Sequence, residues 1–282
     1  MLQKARKFCT VLFSRKIVLV SALVILFFAI CAIASSLMAP CDPYEQDLSR
    51  RLEGVSSEHW LGTDQLGRDL YSRIVYGSRV AFMVGILAVI AAAVMGCAIG
   101  LISGYFGGLV DQVLMRLMEA QMSIPPLILA LALVAVFGRS IPMLIFVLGV
   151  SAIPNFARMM RGQVLSVREM DYVAASRIRG NSNTGTMVRH ILPNCISPII
   201  VIMTQSIGGS ILAEASMSFL GAGIVPPTAS WGAMVNDGYS YIYDAPLFAL
   251  APGVAIILLV LAFNIFGDGL RDALDPRLRG AL

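Results

Sequence analysis

Six stretches of apolar residues constrain this chain more than any other feature, because each is long or nearly long enough to cross a lipid bilayer as a helix. They run over Ile17–Ala39, Val80–Ser103, Gln112–Phe137, Ile141–Ala157, Ile196–Leu220 and Leu247–Phe266. In hydrocarbon every backbone N–H and C=O must be satisfied within the chain, so runs of this length imply helices. Charged residues make up only 13% of the chain and apolar ones 57%, against about 25% charged in soluble domains. The expected fold is therefore all-α and polytopic, with six transmembrane helices. No loop is long enough to hold a separate catalytic domain.

Two runs need argument. Ile17–Ala39 follows Lys4, Arg6, Lys7, Arg15 and Lys16, and its AIASS end resembles a signal-peptidase site. Its apolar core nevertheless exceeds the roughly 7–15 residues of a signal h-region, so it reads as a retained span. In the third run the strictly apolar part, Ile124–Phe137, is too short to cross. The helix is expected to begin near Gln112, take in Arg116 and Glu119, and kink at Pro125 and Pro126. Pro154 and Pro252 are expected to interrupt two more spans.

Lys and Arg set the orientation. Arg158, Arg161, Arg168, Arg177, Arg179 and Arg189 fall in one internal loop, and Arg271, Arg277 and Arg279 in the tail. The loop Pro40–Arg79 offsets five arginines with seven acids. Both termini are thus expected in the cytoplasm. The resulting organisation is a cytoplasmic tail at 1–16, a first span at 17–39, an extracytoplasmic loop at 40–79, a five-helix core at 80–267 with an internal loop at 158–195, and a cytoplasmic tail at 268–282. The net charge of +4 sits beside apolar spans, which argues against nucleic-acid binding. Cys9, Cys31, Cys41, Cys97 and Cys195 show no disulfide pattern. His59 and His190 lie in different segments with no CxxC, so no metal site is expected.

The segment Asp171–Asn194, DYVAASRIRGNSNTGTMVRHILPN, is polar and Gly-punctuated between apolar runs. Val173, Ser176 and Arg177 share a face of a first short helix, and Gly180 stands where a left-handed residue would end it. Ser182 can cap a second helix carrying Met187, Val188 and Ile191, which Pro193 is expected to stop. Two short helices meeting at a glycine form an elbow suited to docking.

This segment resembles the EAA loop of ABC-importer permeases, whose pattern is Glu-Ala-Ala, three residues, Gly, nine residues, Ile, one residue, Leu-Pro. Here Ala174, Ala175 and Ser176 hold the first places, Gly180 the Gly, His190 the Ile, and Leu192 and Pro193 the end. The family's Glu is therefore Ala174, and Asp171, Arg177 or Arg179 could supply the missing polar contact. HWLGTDQLGRDLYSR at His59–Arg73, SFLGAGIVPPTASWGAMV at Ser218–Val235, FNIFGDGLRDALDPRLRG at Phe263–Gly280 and GYFGGLVD at Gly104–Asp111 are similar to the C-type permease of the dipeptide, oligopeptide and nickel branch.

That resemblance implies the type I ABC-importer (MetI-like) permease fold in a bacterial inner membrane. The partners it implies are a second homologous permease, two cytoplasmic ATPases and an extracytoplasmic binding protein. ATP and Mg would belong to the ATPases, since no GxxxxGK[ST] loop occurs here. The chain itself would be a non-catalytic, cofactor-free permease in which Asp171, Tyr172, Ala174, Ala175, Ser176, Arg177, Arg179, Gly180, Leu192 and Pro193 grip the motor. Glu214, alone in an apolar span, is either a cargo contact or a structural hydrogen-bond partner. Met203 and Met217 are pathway candidates. Gly208, Gly209, Ala213 and Ala215 permit close helix approach. Asp64, Arg68, Asp69 and Trp231 are expected on the rim that receives the binding protein, and Asp268, Arg271, Asp272 and Asp275 in a tail helix. The cargo reads as a dipeptide or oligopeptide, with nickel or a metal chelate as the alternative. An ATP-independent transporter would need charge clusters and a repeat that are not evident.

Overall fold

A computed structural model describes residues 12, 13 and 15–274, and for Arg177 the backbone alone. The described residues form helices and loops without a named strand. We number the helices α1 Lys16–Ile33, α2 Leu70–Phe106, α3 Gly108–Met122, α4 Pro126–Phe137, α5 Ile141–Val167, α6 Asp171–Ile178, α7 Asn183–Thr186, α8 Leu192–Phe219, α9 Trp231–Tyr239 and α10 Pro246–Leu274. One extra turn, Ser35–Met38, follows α1, and a 3-10 turn covers Leu48–Arg50.

Five helical stretches are long and apolar enough to cross a bilayer: α1, α2, α5, Asn183–Phe219 and α10. The sixth expected span is not a kinked rod. It is broken into α3 and α4, which meet at 86°. The double proline explains the break. Pro126 opens α4, and a residue preceding proline is driven out of the helical region, as the extended ψ of 130° at Pro125 shows. Pro154 and Pro252, by contrast, lie inside continuous helices.

The loop that follows the first span is shorter than the sequence pattern suggests, because α2 begins at Leu70 rather than near Val80. Asp69 caps the helix by accepting from Ser72 N at 2.7 Å. The polar first turns are then absorbed by the loop: Arg73 Nη1 donates to Pro43 O at 3.0 Å, and Ser72 Oγ accepts from Cys41 N at 3.2 Å. At 37 residues, α2 is about 55 Å long and separates two ends of the bundle. The loop end holds residues 40–69 and α9; the elbow end holds α6 and α7.

The most extensive helix pairing among the described residues joins α2 to α5. Gly96, Gly100 and Gly104 recur at four-residue spacing and so line one face of α2. A Cβ at Gly96 would sit 2.6 Å from both Ile153 O and Phe156 Cβ, one at Gly100 would strike Ala157 O, and one at Gly104 would come within 2.9 Å of Val164 Cβ. Backbone therefore packs on backbone, as small residues allow between membrane helices. Gly208 similarly seats α8 on α10, where an added Cβ would stand 3.2 Å from Val260 O, whereas Gly209 faces open space. Towards the elbow end the core comprises Tyr105, Phe156, Met160, Val164, Val173, Met187 and Ile191. A second core joins Phe28, Leu70, Trp231, Met234 and Phe248.

Candidate functional site

The elbow begins where α5 ends. Arg168, its C-cap, donates from Nη1 to Gly104 O at 2.9 Å and ties the end of α5 to α2. In α6, Val173 and Ser176 turn inward, while Asp171, Tyr172, Ala174, Ala175 and Ile178, and Arg179 just after the helix, are exposed. Gly180 has φ +77°, the left-handed conformation that ends a helix without a Cβ penalty. Asn181 N–H donates back to Ser176 O at 3.3 Å, the six-to-one bond of a Schellman motif. Ser182 Oγ accepts from Gly185 N at 3.1 Å and caps α7, as its position suggests.

The two limbs are locked by hydroxyls. Ser176 Oγ lies 3.2 Å from Thr186 Oγ1 and accepts from Asn181 Nδ2 at 2.9 Å. Tyr105 Oη donates to Asn183 Oδ1 at 2.9 Å, which joins α7 to the last turn of α2. Ser176, in the third place of the Glu-Ala-Ala pattern, is thus an internal latch and not a contact residue. Met187 and Ile191 enter the core but Val188 is exposed. Sequence periodicity gave no hint of Tyr105 or Asn183, because their partners lie 78 residues apart.

Pro193 does not stop the second helix. A π-turn over Met187–Ile191, with Leu192 N–H donating to Met187 O, leads straight into α8. The wide turn reroutes the hydrogen bonds just where proline lacks a donor. The elbow is therefore continuous with a spanning helix, and Pro193 is exposed on its first turn. Asp171, Tyr172, Ala174, Ala175, Arg179 and Gly180 form one accessible patch with Leu192 partly buried behind it. Ile178, 87% exposed at the tip, is the apolar residue that the pattern did not single out.

Other expected sites are relocated by the fold. Glu214 is buried and accepts from Ser218 Oγ at 2.8 Å and Ser230 Oγ at 2.9 Å, so it latches α8 to the start of α9. Both of these partners lie in this chain. Met217 is fully buried beside Val84, Leu144 and Ile224, which removes it from any pathway surface, whereas Met203 stays half-exposed. A cleft of 680 Å³ opens nearby, lined by Met159, Gln163, Asn194, Val201 and Gln205.

Asp64, Arg68, Asp69 and Trp231 are all buried and cannot form a docking rim. Asp64 Oδ1 accepts from Leu66 N at 2.8 Å and Arg68 N at 3.0 Å; its Oδ2 accepts from Arg68 Nε at 2.6 Å and stands 3.6 Å from Arg73 Nε. Trp231 Nε1 donates to Ile74 O at 2.9 Å across the face of Gly77. The HWLGTDQLGRD segment builds the loop from inside. What it exposes is the aromatic Trp60; Tyr239, the last residue of α9, and Tyr243 just beyond it are exposed as well. In the tail, Asp268, Arg271 and Asp272 continue α10, where Arg15 pairs with Asp272 at 3.0 Å; Asp275 lies outside the described residues, as do Lys4, Arg6, Lys7, Cys9, Arg277 and Arg279.

Comparison with known proteins agrees with this architecture. Residues 96–280 match the family described as the binding-protein-dependent transport system inner membrane component. The chain is 40% identical over 264 residues to the dipeptide transport system permease protein DppC of Alkalihalophilus pseudofirmus, covering 94% of this chain and 87% of that protein. It is 42% identical over 260 residues to the glutathione transport system permease protein GsiD of Pectobacterium atrosepticum, covering 91% and 85%. It is 40% identical over 260 residues to the probable D,D-dipeptide transport system permease protein DdpC of Escherichia coli, covering 92% and 87%. Among solved structures, an amino acid ABC transporter with histidines superposes with a TM-score of 0.55 at 17% identity, covering 72% of this chain and 95% of that one. At that identity the likeness is one of fold.

Proposed function

Because this chain belongs to the family of binding-protein-dependent transport system inner membrane components, we propose that it is the C-type permease of an ATP-driven importer of short peptides. The relatives named for dipeptides and glutathione support a peptide cargo, and among the described residues no cluster in the spans favours nickel over peptide. The chain would work beside a second permease, two cytoplasmic ATPases and an extracytoplasmic binding protein, in the bacterial inner membrane with both termini inside. ATP and Mg would reside in the ATPases. The elbow end would then be cytoplasmic and the loop end outside.

The observation that carries this reading is the elbow itself. A rigid, hydroxyl-latched pair of short helices presents Asp171, Tyr172, Ala174, Ala175, Ile178 and Arg179 to solvent while its inner face joins the core of α2, α5 and α8. Force applied to such a patch reaches the spanning helices through Val173 and through the unbroken path from α7 into α8. Alternating access follows when nucleotide-driven closure of the motor rotates this patch. The half-open cleft beside Met159 and Gln205 fits the inner mouth of the pathway. At the other end Trp60, Tyr239 and Tyr243 would replace the buried residues as the surface that meets the binding protein.

Gly180 tests the coupling. No atom lies within 4 Å of a Cβ built there, so a side chain at this position starts in open space, while the φ of +77° strains residues other than glycine and, less so, asparagine. Gly180→Trp should abolish ATP-driven uptake in proteoliposomes with membrane insertion intact. Gly180→Asn, small and tolerant of the left-handed region, should retain most of it. Equal uptake by both variants and the parent would refute the coupling role.

A further inference from the structure

The loop end gathers three residues that the chain keeps far apart. Cys41 follows the first span, His59 lies in the loop, and Asp69 caps α2. Cys41 Sγ, a His59 ring nitrogen and an Asp69 carboxylate oxygen all lie within 4.8 Å of one another. His59 and Asp69 are buried, their Nδ1 and Oδ1 3.0 Å apart, while Cys41 is half-buried at the wall of a 450 Å³ pocket. The pocket is markedly acidic: Asp42, Glu45, Asp47 and Glu58 also line it. One cation already leans into this corner. Arg50 pairs with Glu58 and places Nη1 3.3 Å from His59 Nε2.

We propose that Cys41, His59 and Asp69 bind a divalent transition-metal ion of the zinc type, with water or the Glu58 carboxylate in the fourth position. Thiolate, imidazole and carboxylate together suit a borderline ion such as Zn²⁺ and do not suit Mg²⁺. Bond lengths of about 2.0–2.3 Å around a tetrahedral centre put ligand atoms roughly 3.3–3.8 Å apart. An edge at the 4.8 Å limit would have to contract by about 1 Å. The Cys41 thiol gives up its proton on binding, and in the complex His59 is the neutral ring and Asp69 the carboxylate. The ion would cross-link the end of the first span, the loop and the start of α2. Arg50 competes with it for the same corner. The inference stands apart from the proposed transport function, since binding is read without cargo or ATP.

The test uses the whole transporter, purified through a tag without histidines and stripped with chelator. Micromolar Zn²⁺ should slow alkylation of Cys41, read on its own peptide by mass spectrometry, and millimolar Mg²⁺ should not. Co²⁺ should give a thiolate charge-transfer band that Cys41→Ser abolishes. His59→Gln should weaken Zn²⁺ protection by at least the roughly 10–100-fold seen when metal-site partners are lost. Should His59→Gln disturb the loop, Arg50→Gln gives an independent reading: removing the competing guanidinium should tighten Zn²⁺ binding severalfold. Alkylation indifferent to Zn²⁺, a Co²⁺ spectrum without the sulfur band, or unchanged or weaker binding in Arg50→Gln would overturn the site.

Discussion

The buried carboxylate of Asp64 offers the sharpest test of how the loop end is built. Asp64→Asn preserves size and leaves an oxygen for the Leu66 and Arg68 amides, but removes the charge facing Arg68 Nε at 2.6 Å and Arg73 Nε at 3.6 Å. Arg68 and Arg73 are themselves buried, so two guanidinium groups are left without their counter-ion. Breaking a buried pair in this way costs about 3–5 kcal/mol. At about 1.36 kcal/mol per decade, amides of residues 59–69 should exchange with deuterium roughly a hundred- to several-thousand-fold faster than in the parent. Amides of α5, at a distance, should change little. Arg68→Met added to Asp64→Asn should recover part of the loss, since removing both partners costs less than stranding one. The assay is hydrogen exchange of the intact complex read by mass spectrometry, with binding-protein affinity measured in parallel. Parental exchange combined with lost affinity would refute the structural reading and return Asp64 to the docking surface.

Three further outcomes follow from the same geometry. Gly100→Ala should force α2 and α5 apart at Ala157 O and cost about 1–3 kcal/mol as overpacking; thermal inactivation unchanged from the parent would contradict the seam. Glu214→Gln, which keeps an acceptor for Ser218 and Ser230, should leave cargo KM near parental, while Glu214→Leu should cost about 1–3 kcal/mol by stranding the two hydroxyls; a large KM increase in a stable Gln variant would make Glu214 a cargo contact after all. At Glu58, the hydrogen bond from Arg50 and then its charge hold the carboxyl below its ordinary range. Its contribution is present above the unfolded value and lost as pH falls through the lower folded value. The loop carrying Arg50 and Glu58 should therefore loosen only below about pH 4.3, and less sharply in high salt; loosening near neutrality, read by exchange of residues 47–59, would argue against this pair.

The sequence by itself determined the helical, membrane-spanning character, most of the spans and the elbow. These rest on local or periodic signals: apolar run length, the left-handed residue Gly180, the capping Ser182. The four Gly-rich and polar segments also identified the family, since they span the chain in order. Tertiary structure decided everything that depended on where a polar side chain turns. Asp64, Arg68, Asp69 and Trp231 look like surface in a polar loop, yet that loop folds over the start of α2 and must satisfy its own charges inside. Glu214 looks like a pathway carboxylate until Ser230, 16 residues on, returns to meet it. The double proline signals a disturbance, but only the packing of α4 fixes it as an 86° break. Cys41, His59 and Asp69 carry no metal-ligand spacing at all. Three separate segments converge there because a capped helix start, a buried histidine and the end of the first span share one pocket, a proximity that linear spacing cannot encode.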